Sequence, residues 1–324
     1  MEYRHLGKSG LKVSSVGLGC NNFGMVINRQ QTTEVVSAAL DQGITLFDTA
    51  DVYGNGESEQ FLGKALGDNR SRAVIATKFG NSVGGDEHAG GASRRYILSA
   101  VESSLKRLNT DYIDLYQLHT PDPYTPLDET LRALDDLVRS GKVRYLGCSN
   151  FSSWQVVESQ WISRQLGLER FVTAQNRYSL LSRRAEEDLL PACEHSNVSL
   201  LPFFPLESGL LTGKYTKGQE PQEGTRWHAW KDRGAFAESF FSNQRLSQVD
   251  RLQDLCHRFD HSLLELAFGW LLKNAVVGSV IAGATKPHQI VANVEAGLFR
   301  PSEEETSLIN DISLAPISAT AWGA

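Results

Sequence analysis

Eight short runs of branched and apolar residues recur along this chain, each followed by a longer segment with helical periodicity, and that alternation constrains the fold more than any other feature. The runs are Val16 to Gly19, Thr45 to Asp48, Val74 to Phe79, Tyr112 to His119, Val143 to Ser149, Val172 to Gln175, Ser199 to Phe204 and Ser279 to Gly283. Between them, Ile97, Val101, Leu105 and Leu108, or Leu127, Leu131, Leu134 and Leu137, step by three and four residues, so each segment has one stripe to bury. Ser93 predicts a helix start and Gly141 a helix end, where the backbone needs tolerance of positive φ. Strand and helix in strict alternation build parallel units, and eight of them predict an α/β fold, the (β/α)₈ TIM barrel.

A chain of 324 residues fits one such domain, with the barrel at about 14–300. Met1 to Val13 is expected as an N-terminal hairpin over the barrel bottom, and 301–324 as a C-terminal tail outside the repeat. Two stretches break the rhythm, Asn81 to Gly91 and Glu207 to Asn243, and both are read as long βα loops. Loops after the strands build the active site of such a barrel, so substrate contacts are expected there. Thirty-two basic against thirty-eight acidic residues, without a basic run, argue against nucleic acid as a partner. The polar N-terminus with Arg4, His5 and Lys8 lacks a signal-peptide core, and no apolar run suits a membrane span, so a cytoplasmic protein is expected. Cys20, Cys148, Cys193 and Cys256 form no CxxC pair and predict reduced thiols with no metal site. The patterning sets no oligomeric state.

Four ionisable residues fall at or just beyond strand ends: Asp48, Tyr53, Lys78 and His119. Such positions converge at a barrel mouth although they are distant in sequence. Reducing a carbonyl requires a proton for the developing alkoxide, which a tyrosine can give if a nearby cation lowers its pKa from about 10. Lys78 supplies a cation, Asp48 the carboxylate that keeps it charged, and His119 a hydrogen bond to the substrate oxygen. Taken singly, Asp48 and Lys78 read as a structural ion pair, and Tyr53 and His119 as ordinary side chains. Together they favour chemistry.

Gly43 to Gly54, with Asp48 and Tyr53 inside Phe47-Asp48-Thr49-Ala50-Asp51-Val52-Tyr53-Gly54, resembles the signature of the aldo-keto reductase superfamily. Glu57-Ser58-Glu59, Thr77-Lys78 and Leu115 to His119 are similar to its further motifs, and the resemblance runs from about Tyr3 to Ala296. It implies reversible, NADPH-dependent reduction of an aldehyde or ketone, with NADH a possible substitute, on a small-molecule carbonyl or alcohol substrate. Tyr53 would be the acid, supported by Asp48, Lys78 and His119.

The same resemblance implies a cofactor path. Ser149, Asn150 and Gln175 would hydrogen-bond the nicotinamide carboxamide, and Gly19 and Cys20 would lie near the nicotinamide ribose. Phe203 would stack on the nicotinamide, while Pro205, Leu206, Gly209 and Lys214 belong to the segment that wraps the pyrophosphate. Gly283, Thr285, Lys286, Gln289 and Asn293 match the adenosine-phosphate segment. The chain departs from the pattern at Phe203 and Phe204, where Tyr or Trp and then Ser are usual, and at Ala292, where Glu is usual. Ser149 or Asn150 could instead cap the following helix. Gly17-Leu18-Gly19 lacks the third glycine of a dinucleotide fingerprint, because Asn22 stands there, and no Rossmann pattern follows. Tyr124, Trp227 and Trp230 are expected to line the substrate pocket, with packing on the barrel rim as the equal alternative for the two tryptophans. Two other functions compete: a redox-sensing, cofactor-binding accessory subunit with little turnover, and a phosphate-sugar isomerase, which would need a strand-end Glu/His pair and no nicotinamide.

Overall fold

The chain was analysed as a computed structural model, which describes residues 1–84, 90–215, 218 and 220–314. Strands β1 (Tyr3–His5) and β2 (Lys12–Ser14) form an antiparallel hairpin. The repeat follows as β3 (Val16–Gly19), β4 (Leu46–Asp48), β5 (Val74–Phe79), β6 (Ile113–Leu118), β7 (Val143–Ser149), β8 (Phe171–Arg177), β9 (Ser199–Phe203) and β10 (Val280–Gly283). All neighbours are parallel, in the order β10-β3-β4-β5-β6-β7-β8-β9. The remaining seam is drawn together where Leu200 N–H donates to Val276 O at 2.8 Å and Gly278 N–H to Leu200 O at 2.9 Å. The result is a nearly closed (β/α)₈ barrel. Thr45 falls just short of β4, because its backbone N–H and hydroxyl are tied to Ser14 across the barrel bottom.

The first six helices cover consecutive strands: α1 (Arg29–Asp41), α2 (Glu57–Leu66), α3 (Arg94–Leu108), α4 (Leu127–Arg139), α5 (Ser153–Leu166) and α6 (Leu189–Ser196). After β9 come the short α7 (Arg226–Trp230) and α8 (Ala235–Phe241), then α9 (Asn243–Phe259) and α10 (Leu263–Lys273). The chain ends with α11 (Pro287–Ala296) and α12 (Glu303–Ser313). The segment after residue 300 thus carries a helix outside the repeat. Ser302 and Glu305 cap it reciprocally, and Gln248 of α9 donates to Ile312 O at 3.3 Å. Ser93 caps α3, and Gly141 follows α4 at φ +77°. Ser152, paired with Gln155, caps α5, so neither Ser149 nor Asn150 is spent on that task.

Inside the barrel, Leu6, Leu11 and Val13 of the hairpin region pack with Leu46, Ala76, Leu115, Leu201 and Ile281 in one apolar cluster. Side chains two residues apart on a strand face the same way. Two steps beyond four members of this plug stand Asp48, Lys78, Gln117 and Phe203. The apolar floor therefore fixes the height of the polar layer above it.

Candidate active site

Lys78 is fully buried and donates to Asp48 Oδ2 at 2.7 Å and to Thr49 O at 2.8 Å. An ammonium has three N–H groups, so one remains for the neighbour, Tyr53, whose ring centre lies 5.2 Å from Nζ. The other oxygen of Asp48 accepts from Gln175 Nε2 at 2.8 Å and Gln117 Nε2 at 3.3 Å. Strand β7 allows this approach at Gly147, where a Cβ would stand 2.3 Å from Thr173 Oγ1 and 3.0 Å from Gln117 Cγ. The His119 ring meets Tyr53 edge-on, with centroids 5.9 Å apart. The four expected residues are brought together from two strands, the residue just past β6 and the turn after β4.

Burial lowers the Lys78 pKa, but Asp48 and Tyr53 outweigh it, so Lys78 is held above its ordinary value and stays charged. The expectation of a lowered tyrosine pKa is corrected. Burial pushes Tyr53 up, and the Lys78 charge pulls it down without cancelling that effect. Tyr53 thus keeps its proton across the physiological range and loses it only to a stronger base, which a developing alkoxide is. Burial and then the Lys78 charge push His119 down to about 3, so it is a neutral imidazole with one N–H to give. Its Nδ1 is buried without a hydrogen-bond partner.

Beside Lys78 lies a second polar cluster, whose acidic members stand inside the quoted motifs but were given no role there. Asp51 is 1% exposed, its N–H donates to Lys78 O at 3.2 Å, and one of its oxygens has no partner. Burial, then the neighbouring Glu59 charge, raises it to about 7. Glu59 is itself satisfied by Arg107 at 2.6 Å and Thr77 at 2.6 Å. Gln117 could have been found from its spacing, two residues from Leu115 and two from His119 on one strand face.

The residues expected to bind cofactor fall into three groups. Ser149 donates to Gln175 O at 2.9 Å, and Asn150, at φ +60°, donates through Nδ2 to His119 O at 2.9 Å. Among the described residues, nothing donates to the side-chain oxygens of Asn150 and Gln175. Those acceptors suit the NH₂ of a carboxamide, so the residues present fit a nicotinamide ring. Gly19 packs where a Cβ would meet Ile281 Cγ2 at 3.2 Å, beside Gly283. The Cys20 thiol is in the core, its N–H donates to Asp48 O, and its carbonyl accepts from Ser58. It has no side-chain atom to offer a cofactor.

The second group follows β9. Phe203 is half-buried at the strand end, and Phe204, at φ +52°, turns its ring against Phe240 at 5.3 Å. The second phenylalanine therefore anchors the insertion. Pro205 is buried, Leu206 half-buried, and Lys214 exposed with its Nζ 5.1 Å from the Tyr215 ring centre. The third group lies at the start of α11. The Gln289 Oε1 accepts from Thr285 N–H at 2.8 Å and Lys286 N–H at 3.2 Å, Asn293 is buried, and Lys286 is exposed.

Trp227 stacks on Phe241 at 5.2 Å and 9° and meets Tyr215 edge-on at 5.4 Å. Trp230 tilts against Phe240 at 5.5 Å. One Trp227 face is thus used in packing, and only its remaining surface is left for a ligand. Tyr124 is 93% exposed.

The mouth of a (β/α)₈ barrel thus joins a charged lysine, a protonated tyrosine, a neutral histidine and a buried aspartate. The chain belongs to the aldo/keto reductase family, whose model matches residues 15–314. It is 36% identical over 302 residues to a "Probable voltage-gated potassium channel subunit beta" of Oryza sativa subsp. japonica, covering 91% of each chain. It is 36% identical to the "Uncharacterized oxidoreductase YrpG" of Bacillus subtilis (strain 168), covering 99% of this chain and 100% of that one. It is 35% identical to the "Versiconal hemiacetal acetate reductase" of Aspergillus parasiticus, covering 92% of this chain and 94% of the relative. No described helix is long and apolar enough to cross a membrane.

Proposed function

We propose that the protein is an NADP(H)-dependent reductase of aldehydes or ketones, reversible in direction, with Tyr53 as proton donor. The observation that carries this reading is the contact of Tyr53 with the Lys78 ammonium, 5.2 Å from its ring centre, beside the neutral His119. When bound, a reduced nicotinamide supplies a hydride to the carbonyl carbon. His119 orients the carbonyl oxygen by donating a hydrogen bond, and the Tyr53 hydroxyl gives its proton to that oxygen. Lys78 stabilises the phenolate left behind, and Asp48 keeps Lys78 charged and in place. Asn150 and Gln175 would hold the carboxamide, Phe203 the ring face, and Pro205, Leu206, Gly209 and Lys214 the pyrophosphate. Gly283, Thr285, Lys286, Gln289 and Asn293 would receive the adenosine end. Trp227, Trp230 and Tyr124 remain the candidates for the outer substrate wall, and a cytoplasmic setting suits a reduced pyridine nucleotide.

NADPH absorbance followed with a panel of aldehydes, α-dicarbonyls, keto-steroids and sugar-derived ketones tests the activity. Tyr53→Phe is expected to bind NADPH as the wild type does while losing at least about 10²-fold in kcat. A folded Tyr53→Phe protein with wild-type turnover would refute the assignment.

The channel-subunit name of one relative favours a second reading, a cofactor-binding accessory subunit. Tight NADPH binding with negligible steady turnover across the whole panel would select it.

A further inference from the structure

The turn after β9 has an unusual backbone. Phe204, Glu207 and Ser208 lie at φ +52°, +44° and +60°, and Gly209 follows at +93°. Three of these four have side chains, and L residues avoid this region because the Cβ crowds the following carbonyl. A segment keeps such a shape only when its surroundings hold it.

Glu207 is what holds this one. Its side chain is fully buried. Oε1 accepts from Ser179 Oγ at 2.7 Å and Arg177 Nε at 3.3 Å, while Oε2 accepts from Arg177 Nη2 and from Arg245 Nη1 at 2.9 Å. Arg177 ends β8, Ser179 lies just beyond it, and Arg245 belongs to α9. One carboxylate therefore ties the turn to two separate elements and pairs with two guanidinium groups at once. Gly209 lies at the end of the same turn, where a Cβ would stand 2.7 Å from Lys214 Nζ, so the lysine crosses directly over the backbone.

We infer that Glu207 is a positioning residue that clamps the 204–209 turn in its left-handed form and thereby sets the affinity for the nicotinamide dinucleotide. This rests on the cofactor reading proposed above. Being fully buried, the carboxylate cannot touch the ligand, so it acts through Leu206, Gly209 and Lys214, whose backbone and ammonium it places. Arg177 and Arg245 would repel one another without it.

The test compares wild type, Glu207→Gln and Glu207→Gln combined with Ser208→Gly, measuring NADPH Kd by quenching of tryptophan fluorescence and kcat at saturating NADPH. Glu207→Gln should raise Kd about tenfold or more, with kcat at saturation within about twofold. Ser208→Gly should recover most of that loss, because glycine adopts positive φ without a Cβ penalty. A merely structural role would lower the unfolding temperature of Glu207→Gln without moving the NADPH Kd of the folded protein. If Glu207→Gln does not fold, Glu207→Asp replaces it, with the charge kept but the reach too short to serve Ser179 and both arginines. Wild-type Kd in the folded Gln or Asp variant overturns the inference, and so does a loss that Ser208→Gly leaves uncorrected. A wild-type protein that binds neither NADPH nor NADH removes the cofactor reading and this inference with it. Wild-type binding with unchanged variants removes the inference alone.

Discussion

Lys78 and Asp48 form a 2.7 Å ion pair with side-chain exposures of 0% and 6%, so neither charge has water to fall back on. Breaking a buried pair by removing one partner costs about 3–5 kcal/mol, because the other charge is left unpaired. Lys78→Met should therefore do two things at once. The Tyr53 phenolate loses its stabilising cation, so turnover should drop at least about 10²-fold, and thermal unfolding should shift to clearly lower temperature. A variant as stable and as active as the wild type at every pH would show that Lys78 does not activate Tyr53.

His119 should remain neutral throughout the pH range in which enzymes are assayed, because its pKa is pushed down to about 3. The imidazole resonances of His119, assigned by comparison with His119→Gln, should not titrate between pH 5 and 8. The folded pKa lies below the unfolded one of about 6.5, so the unfolded chain binds more protons between those values and stability falls as pH drops through that window. A His119 ring that titrates near pH 6.5 would contradict the buried, neutral form.

Asp51 gives the opposite slope. Its folded pKa of about 7 lies above the unfolded value of about 3.9, so its contribution is most favourable below that lower value and is lost as pH rises to 7. Asp51→Asn should gain stability relative to wild type as pH rises from about 4 to 7 and keep that gain above it. Urea midpoints at pH 5 and pH 8 are sufficient, and an identical wild-type–mutant difference at both would mean that Asp51 is ionised throughout.

Trp227 presents one face to Phe241 and Trp230 tilts against Phe240, so truncation removes packing along with any ligand contact. If their remaining surfaces form the outer substrate wall, alanine at either position should raise KM for bulky apolar carbonyls several-fold more than for small aldehydes, as loss of uniform binding does. Equal changes for both substrate classes would assign the two rings to the insertion's own packing.

Lys286 is exposed at the start of α11, next to the capping turn closed by Gln289. An exposed ammonium near a 2′-phosphate contributes at most about 1 kcal/mol, so Lys286→Ala should reduce the NADPH-over-NADH preference by about fivefold at low salt and less at high salt. An unchanged ratio of the two Kd values would place the lysine outside the nucleotide site.

The fold was legible in the sequence because strand–helix alternation is a local signal, and so was the placing of Asp48, Lys78 and His119 at strand ends. The role of Gln117 was nearly so: its parity with Leu115 and His119 fixes its face, but not that it would share Asp48 Oδ1 with Gln175. Glu207 was not legible. Its partners Arg177 and Arg245 lie 30 and 38 residues away on different elements, and no periodicity links them. Phe204 was read only as a departure from the usual Ser. In the fold, Phe204 takes a positive φ and its ring packs against Phe240. Tyr53 was expected to be acidified because the neighbouring cation is visible in the sequence, whereas the burial that outweighs it is a property of the packed barrel.

The hairpin residues Leu6, Leu11 and Val13 close the lower end of the barrel with apolar side chains. Among the described residues, that leaves the mouth as the side from which Tyr53 is approached. Two ligands that share one entrance can obstruct one another. Under the function proposed above, a nicotinamide and a carbonyl would share that entrance, and the one seated deeper would enter first and leave last.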